Sequence, residues 1–164
     1  MSKLTIHILG RRALRDKEAE RLVRSAARAV WAHFGYPFDG SVDITMTDDQ
    51  GIRVINREQR EIDAATDVLS FPMNDFYEGG YERESLLFDP ETNALPLGDM
   101  VISVERAREQ GEEYGHGFRR ECAYLTVHSM LHLLGFDHLD EGEQKARMRS
   151  KEELILAGLG LERE

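Results

Sequence analysis

The stretch His128-Ser129-Met130-Leu131-His132-Leu133-Leu134-Gly135-Phe136-Asp137-His138 carries both a structural and a chemical instruction. From Cys122 to Leu134 nearly every side chain is apolar, and a helix apolar all round lies buried. Residues four apart on a helix share a face, with Cβ atoms about 6 Å apart. His128 and His132 can therefore close on one ion from the same side. Gly135 permits the left-handed cap that turns the chain back, which delivers His138 as a third ligand from beyond the helix end. Three neutral imidazoles leave the fourth tetrahedral position open for water, the arrangement of a catalytic rather than a structural zinc site.

The competing reading is three ordinary histidines. With six histidines in 164 residues, this spacing arises by chance in roughly one sequence in a hundred. Histidines on an apolar helix must also find partners, because an unsatisfied buried polar group costs a few kcal/mol. One shared metal satisfies them together. Zinc is the first choice, one ion per chain; nickel and copper also accept imidazole. Asp137, next to His138, is either a further or outer ligand or the cap of a turn after Gly135. His7, His33 and His116 have no partner at ligand spacing, so packing or solvation accounts for them.

Working outward, Leu4 to Leu9 alternates like a strand, and Asp16 caps a helix running to about Phe34. Residues 42–46 alternate as a second strand, and Asp48 or Asp49 starts a helix to about Arg60. Val68 to Phe71 is a short strand closed by Pro72. Residues 74–97 turn to Gly, Glu, Asp, Pro and Asn, a long loop or irregular hairpin. Residues 100–104 read as a strand and 105–114 as an exposed helix. The histidine helix spans 118–134, and a final amphipathic helix covers 141–157 through Met148, Leu154 and Ile155. This order predicts an α+β (mixed α/β layer) fold, a small mixed sheet of about four strands flanked by helices, with the metal site on a buried helix. Residues 1–164 read as one metallohydrolase domain, the size expected of a single domain.

A net charge of −10 repels polyanions at long range, so any nucleic-acid partner needs a local basic patch. The lone Cys122 builds no disulfide framework and fits a reducing compartment. The N-terminal stretch lacks the apolar core of a signal peptide. No apolar run approaches the ~20 residues of a membrane helix. A cytoplasmic protein without a membrane partner is expected.

The histidine spacing overlaps the metzincin protease pattern, whose general-base glutamate follows the first histidine. Ser129 stands there, and a hydroxyl does not do that glutamate's work near neutral pH, which argues against a peptidase. The stretch HSMLHLLGFDH instead resembles the signature of the YbeY family of rRNA-maturation endoribonucleases. Thr66-Asp67-Val68-Leu69-Ser70-Phe71-Pro72, Leu97-Gly98-Asp99-Met100-Val101-Ile102-Ser103, and Asn56 followed by Arg60 are similar to further family segments, in the family's order.

That resemblance implies zinc-dependent cleavage of single-stranded RNA in small-subunit rRNA maturation and ribosome quality control. It implies His128, His132 and His138 as zinc ligands and Arg60 as the functional arginine near the metal. The ribosomal small subunit and assembly GTPases would be its partners. Many members carry glycine where Ser129 stands and tyrosine where Gln59 stands. The 74–97 loop is longer than in compact members, and its acidic residues argue against RNA contact there.

A metal lowers the pKa of bound water toward 7, so no strong protein base is required, and no general base is assigned. Arg60 would hold the scissile phosphate through its planar fork. Arg53, Arg57 and Arg60 share one helix face, and Arg119 and Arg120 open the histidine helix. These form a faint basic path for RNA, with plain solvation as the alternative. Asp67 and Asp99 are candidates to orient a zinc ligand from behind, although turn and strand capping explain them equally well. A non-enzymatic rival remains: a ribosome-assembly factor whose zinc is structural and whose cleavage belongs to a partner.

Overall fold

Alternating burial along β1 (Leu4–Leu9) and β2 (Gly40–Thr47) makes each a strand with one face turned to the core. The computed structural model describes residues 2–138 and 142–161. α1 (Lys17–Phe34) joins these two strands, which pair in parallel; parallel neighbours need such a crossover. Asp16 caps α1 by accepting from the amides of Glu18 and Ala19, and Gly35 ends it in the left-handed conformation. The apolar stripe Leu22, Val23, Ala26, Ala27, Val30 and Trp31 is buried, as its spacing requires.

After β2, Asp48 caps α2 (Asp49–Arg60). β3 (Val68–Pro72) and β4 (Leu95–Ser103) then pair antiparallel, while β4 runs parallel to β2. The mixed sheet has the order β1-β2-β4-β3. The remaining helices are α3 (Val104–Glu113), α4 (Gly117–Leu133) and α5 (Glu143–Gly158). The expected α+β fold, a mixed four-stranded sheet with flanking helices, is observed.

The main core joins one sheet face to α1 and α4. Ile52 of α2 packs with Leu69 and Val101 in a second cluster. α4 is the hub, touching α1, α3, α5, β3 and β4. Cys122 lies within it, and burial pushes its thiol up to about 12, the behaviour of an inert packing residue.

Two expectations are corrected. β4 begins at Leu95, inside the stretch read as loop, so residues 73–94 are the irregular hairpin connection between β3 and β4. In the last helix Leu154 is 59% exposed while Glu152 is only 4% exposed. The helix therefore turns a carboxylate inward where an apolar residue was expected, and the histidine site explains why. The start of that helix at 141 falls outside the described residues. No helix among the described residues is long and apolar enough to cross a membrane.

Candidate metal centre

Burial on α4 brings His128 and His132 to one side of the helix, their Nε2 atoms 3.1 Å apart. Beyond the helix end the chain folds back sharply. Gly135 donates to the His132 carbonyl at 3.0 Å and Phe136 donates to that of Leu131 at 2.9 Å, the paired bonds of a Schellman turn. Gly135 itself has φ 84°. The turn returns His138 toward the helix. One ligand nitrogen from each of the three histidines lies within 4.8 Å of the others. Two nitrogens on a tetrahedral zinc lie about 3.4 Å apart, given Zn–N bonds near 2.05 Å, so the donor set fits one ion.

The opposite ring nitrogens are occupied. His128 Nδ1 meets Glu152 Oε2 at 2.6 Å, and His132 Nδ1 meets the Phe136 carbonyl oxygen at 3.0 Å. Since a carboxylate or carbonyl oxygen only accepts, both Nδ1 atoms carry the proton and both Nε2 lone pairs face the shared point. Metal-ligating histidines are oriented in this way. Burial, reinforced by His128, lowers the His132 pKa and keeps that ring neutral and able to ligate.

Glu152 is the residue that sequence reasoning missed. Among the described residues it is the carboxylate that hydrogen-bonds a triad imidazole, a role that had been offered to Asp137, Asp67 and Asp99. Asp137 accepts from the His138 amide at 2.7 Å. Asp67 accepts from the Val68 amide at 2.7 Å and from Gln110 Nε2 at 3.3 Å, although it does line the cleft described below. Asp99 sits on β4 opposite Phe71, its pKa raised by burial and then by Asp43. Glu152 lies 24 residues from His128 in the chain, so no local spacing signalled it. A buried glutamate amid the apolar positions of the last helix was the available clue.

Replacing Glu152 with glutamine should weaken metal affinity roughly tenfold, and replacing it with alanine closer to a hundredfold. A competition titration against a chromophoric zinc chelator measures both. Unchanged affinity in both variants would mean that Glu152 does not orient His128.

Ser129 Oγ lies 2.6 Å from Ser70 Oγ, tying α4 to β3. It is a packing hydroxyl in the place where a metzincin has its base. The 73–94 connection braces the turn from outside. The amides of Gly79 and Glu78 donate to the carbonyls of Leu134 and Gly135 at 2.8 and 3.3 Å. Tyr36 donates its hydroxyl to the Gly79 carbonyl at 2.7 Å, and Glu78 pairs with Arg147 of α5. The acidic segment thus helps to hold the third histidine.

The triad opens on a cleft of about 780 Å³ whose walls include Arg60, Thr66, Asp67, Ser70 and Asn74. Arg60 is exposed at the end of α2, facing this cleft. The other arginines diverge. Arg53 is bound to Asp63 at 2.8 and 3.2 Å, and Arg57 lies 4.0 Å from the same carboxylate. Arg120 is buried, pairing with Glu153 at 3.1 Å and with the Leu161 carbonyl, which makes it a structural cation rather than part of an RNA path. Arg119 is exposed.

An α+β domain with a three-histidine centre opening on a cleft defines a metal-dependent hydrolase. The Endoribonuclease YbeY family model matches residues 7–160. The Endoribonuclease YbeY of Caldanaerobacter subterraneus subsp. tengcongensis is 49% identical over 144 residues, covering 88% of this chain and 89% of that relative. That of Agathobacter rectalis is 43% identical over 150 residues, covering 88% and 90%. The chain belongs to the YbeY endoribonuclease family. A solution structure from Thermotoga maritima matches with a TM-score of 0.56 at 21% identity, covering 96% of this chain and 91% of that one, a likeness of fold.

Proposed function

We propose that this chain is a zinc-dependent endoribonuclease cutting single-stranded RNA during maturation and quality control of small-subunit rRNA. The observation that carries this reading is the open side of the histidine cluster, which faces a cleft shared with Arg60. His128, His132 and His138 would hold the ion, and imidazole ligands in tetrahedral number favour zinc over nickel or copper. When bound, the ion supplies Lewis acidity toward a phosphoryl oxygen and toward water.

The protein's own groups do the rest. Glu152 and the Phe136 carbonyl keep the ligating rings in the tautomer that presents Nε2. Arg60 binds the scissile phosphate and stabilises the charge that grows on it in the transition state. Family membership points to the ribosomal small subunit and assembly GTPases as partners, and a cytoplasmic location follows from that setting. The structural-zinc rival needs a fourth protein ligand; among the described residues the clustered ligand atoms are those of the three histidines alone, and Asp137, next to His138, uses Oδ1 to accept from the His138 amide.

Zinc-loaded protein should cleave a single-stranded RNA, lose cleavage on chelation and regain it when zinc is restored. Arg60→Lys keeps the charge but loses the fork, and kcat/KM should fall about 10- to 100-fold. Absence of cleavage by the zinc-loaded wild type would defeat the nuclease reading, and an undiminished Arg60→Lys would defeat the role of the fork.

A further inference from the structure

The free edge of β3 forms one wall of the metal cleft. Among the described residues β3 pairs with β4 alone, and Val68, Ser70 and Pro72 line the cleft together with His128 and His132. Successive residues of a strand turn their peptide groups to opposite edges. The Asp67 carbonyl accepts from the Ser103 amide, and the Met73 amide donates to the Leu97 carbonyl, so Asp67, Leu69, Phe71 and Met73 face β4. Val68, Ser70 and Pro72 therefore present their peptide groups to the cleft. Val68 and Ser70 are half-buried and Pro72 is exposed, and none of the described residues donates to their carbonyls.

This edge is short of donors. Proline has no amide hydrogen, and the Val68 amide donates to Asp67 Oδ1 at 2.7 Å. Three carbonyls and one amide, that of Ser70, are left. A peptide strand added to a sheet edge needs donors and acceptors in alternation, so this edge suits it badly. The rest of the wall has the same bias. Asp75 and Asp137 add carboxylates, and Arg60 is the one lysine or arginine among the described lining residues. Asn74 is committed elsewhere, its amide donating to the Pro96 carbonyl at 2.7 Å and its oxygen accepting from the Leu87 amide at 2.8 Å. A phosphate has its place beside Arg60 and the histidines. Along β3 the occupant must bring donors, at the repeat of about 6.6–6.8 Å set by alternate residues of a strand.

Resting on the RNA-cleavage reading, we propose that the β3 edge reads the ribose, with 2′-hydroxyls of the bound strand donating to the Val68, Ser70 and Pro72 carbonyls. Successive 2′-hydroxyls of an extended single strand repeat at a similar spacing. Every ribonucleotide carries this hydroxyl and no deoxynucleotide does, so the edge selects RNA over DNA without regard to sequence. In a duplex the hydroxyls follow a curved groove and do not line up along a straight edge. The same geometry thereby favours single strands. The two features that strip the edge of donors, Pro72 and the Asp67 side chain, also make it unfit for a peptide, so they set the class of substrate that the metal meets.

The test uses three labelled oligonucleotides of one short sequence: all-ribo, all-2′-fluoro and all-deoxy. A 2′-fluoro sugar keeps the pucker of RNA but cannot donate, so it isolates the proposed bond, and uniform substitution removes any dependence on register. Binding is read by anisotropy in EDTA, and cleavage is read separately with the zinc-loaded protein. Both modified strands should bind about 10- to 100-fold more weakly than RNA, as two or three lost hydrogen bonds require. Carbonyl-carbon NMR locates the loss: the Val68, Ser70 and Pro72 resonances should move with RNA and stay in place with the 2′-fluoro strand. Equal affinity for the ribo and 2′-fluoro strands overturns the proposal. So do carbonyls that stay still while RNA binds, or that move with an extended peptide and not with RNA. If RNA is cleaved but the 2′-fluoro strand binds equally well, the edge alone is wrong. If the carbonyls respond as expected but nothing is cleaved, the ribose site stands and the nuclease reading falls.

Discussion

Replacing His132 with alanine is expected to abolish both metal binding and RNA cleavage while leaving the fold in place. His132 is central to the cluster: its Nε2 lies 3.1 Å from that of His128 and its ring centroid 5.1 Å from that of His138. Without it two ligands remain, one of them the exposed His138, and two imidazoles do not make a tetrahedral site. The folding penalty is small. The lost hydrogen bond to the Phe136 carbonyl is worth about 1 kcal/mol, and α4 remains anchored by Leu125, Met130, Leu131 and Leu133.

Stability and metal can therefore be read separately. Zinc at a hundred times its Kd should stabilise the wild type by about 2.7 kcal/mol, a rise of roughly 5–10 °C in Tm for a chain of this size. The variant should show no rise, and metal analysis should find the purified protein nearly empty. A His132→Ala protein that kept its zinc, or cleaved RNA without it, would remove the triad from the mechanism.

The parts of the molecule legible in the sequence were those governed by local chemistry. Asp16 and Asp48 as caps, Gly35 as a stop, and the 3.6-residue stripe of α1 follow from contacts within a few residues. So did the triad, since a helix and its end turn join all three histidines over eleven consecutive positions. β4 was read short because Pro96 and Gly98 look like loop residues. Pro96 is tolerated because β3 reaches only as far as Gly98, so that part of β4 has a single strand neighbour, β2, and the missing amide breaks no ladder bond. Glu152 was illegible for the opposite reason. Its role depends on α5 docking against α4, and helix periodicity alone predicted Leu154 in the buried stripe.

A Gly135→Ala variant should be the more damaging change to the fold, and for two separable reasons. At φ 84° a side chain meets left-handed strain of roughly 1–2 kcal/mol. An added Cβ would also lie 2.0 Å from the Phe76 carbonyl oxygen and 2.8 Å from the Tyr77 amide nitrogen. Both are backbone atoms that no rotamer change can move. The 73–94 connection must then retreat, losing the hydrogen bonds by which Gly79 and Glu78 hold the turn. Overpacking adds about 1–3 kcal/mol, so a total loss of roughly 2–5 kcal/mol is expected, or about 4–20 °C in Tm. Because the same turn aims His138, zinc affinity should fall with stability. Gly35→Ala is the control: φ is 60°, but nothing lies within 4 Å of its Cβ. That variant should lose about 1 kcal/mol and keep full zinc affinity. Equal losses at both positions would mean that the close approach of the acidic connection does not shape the metal centre.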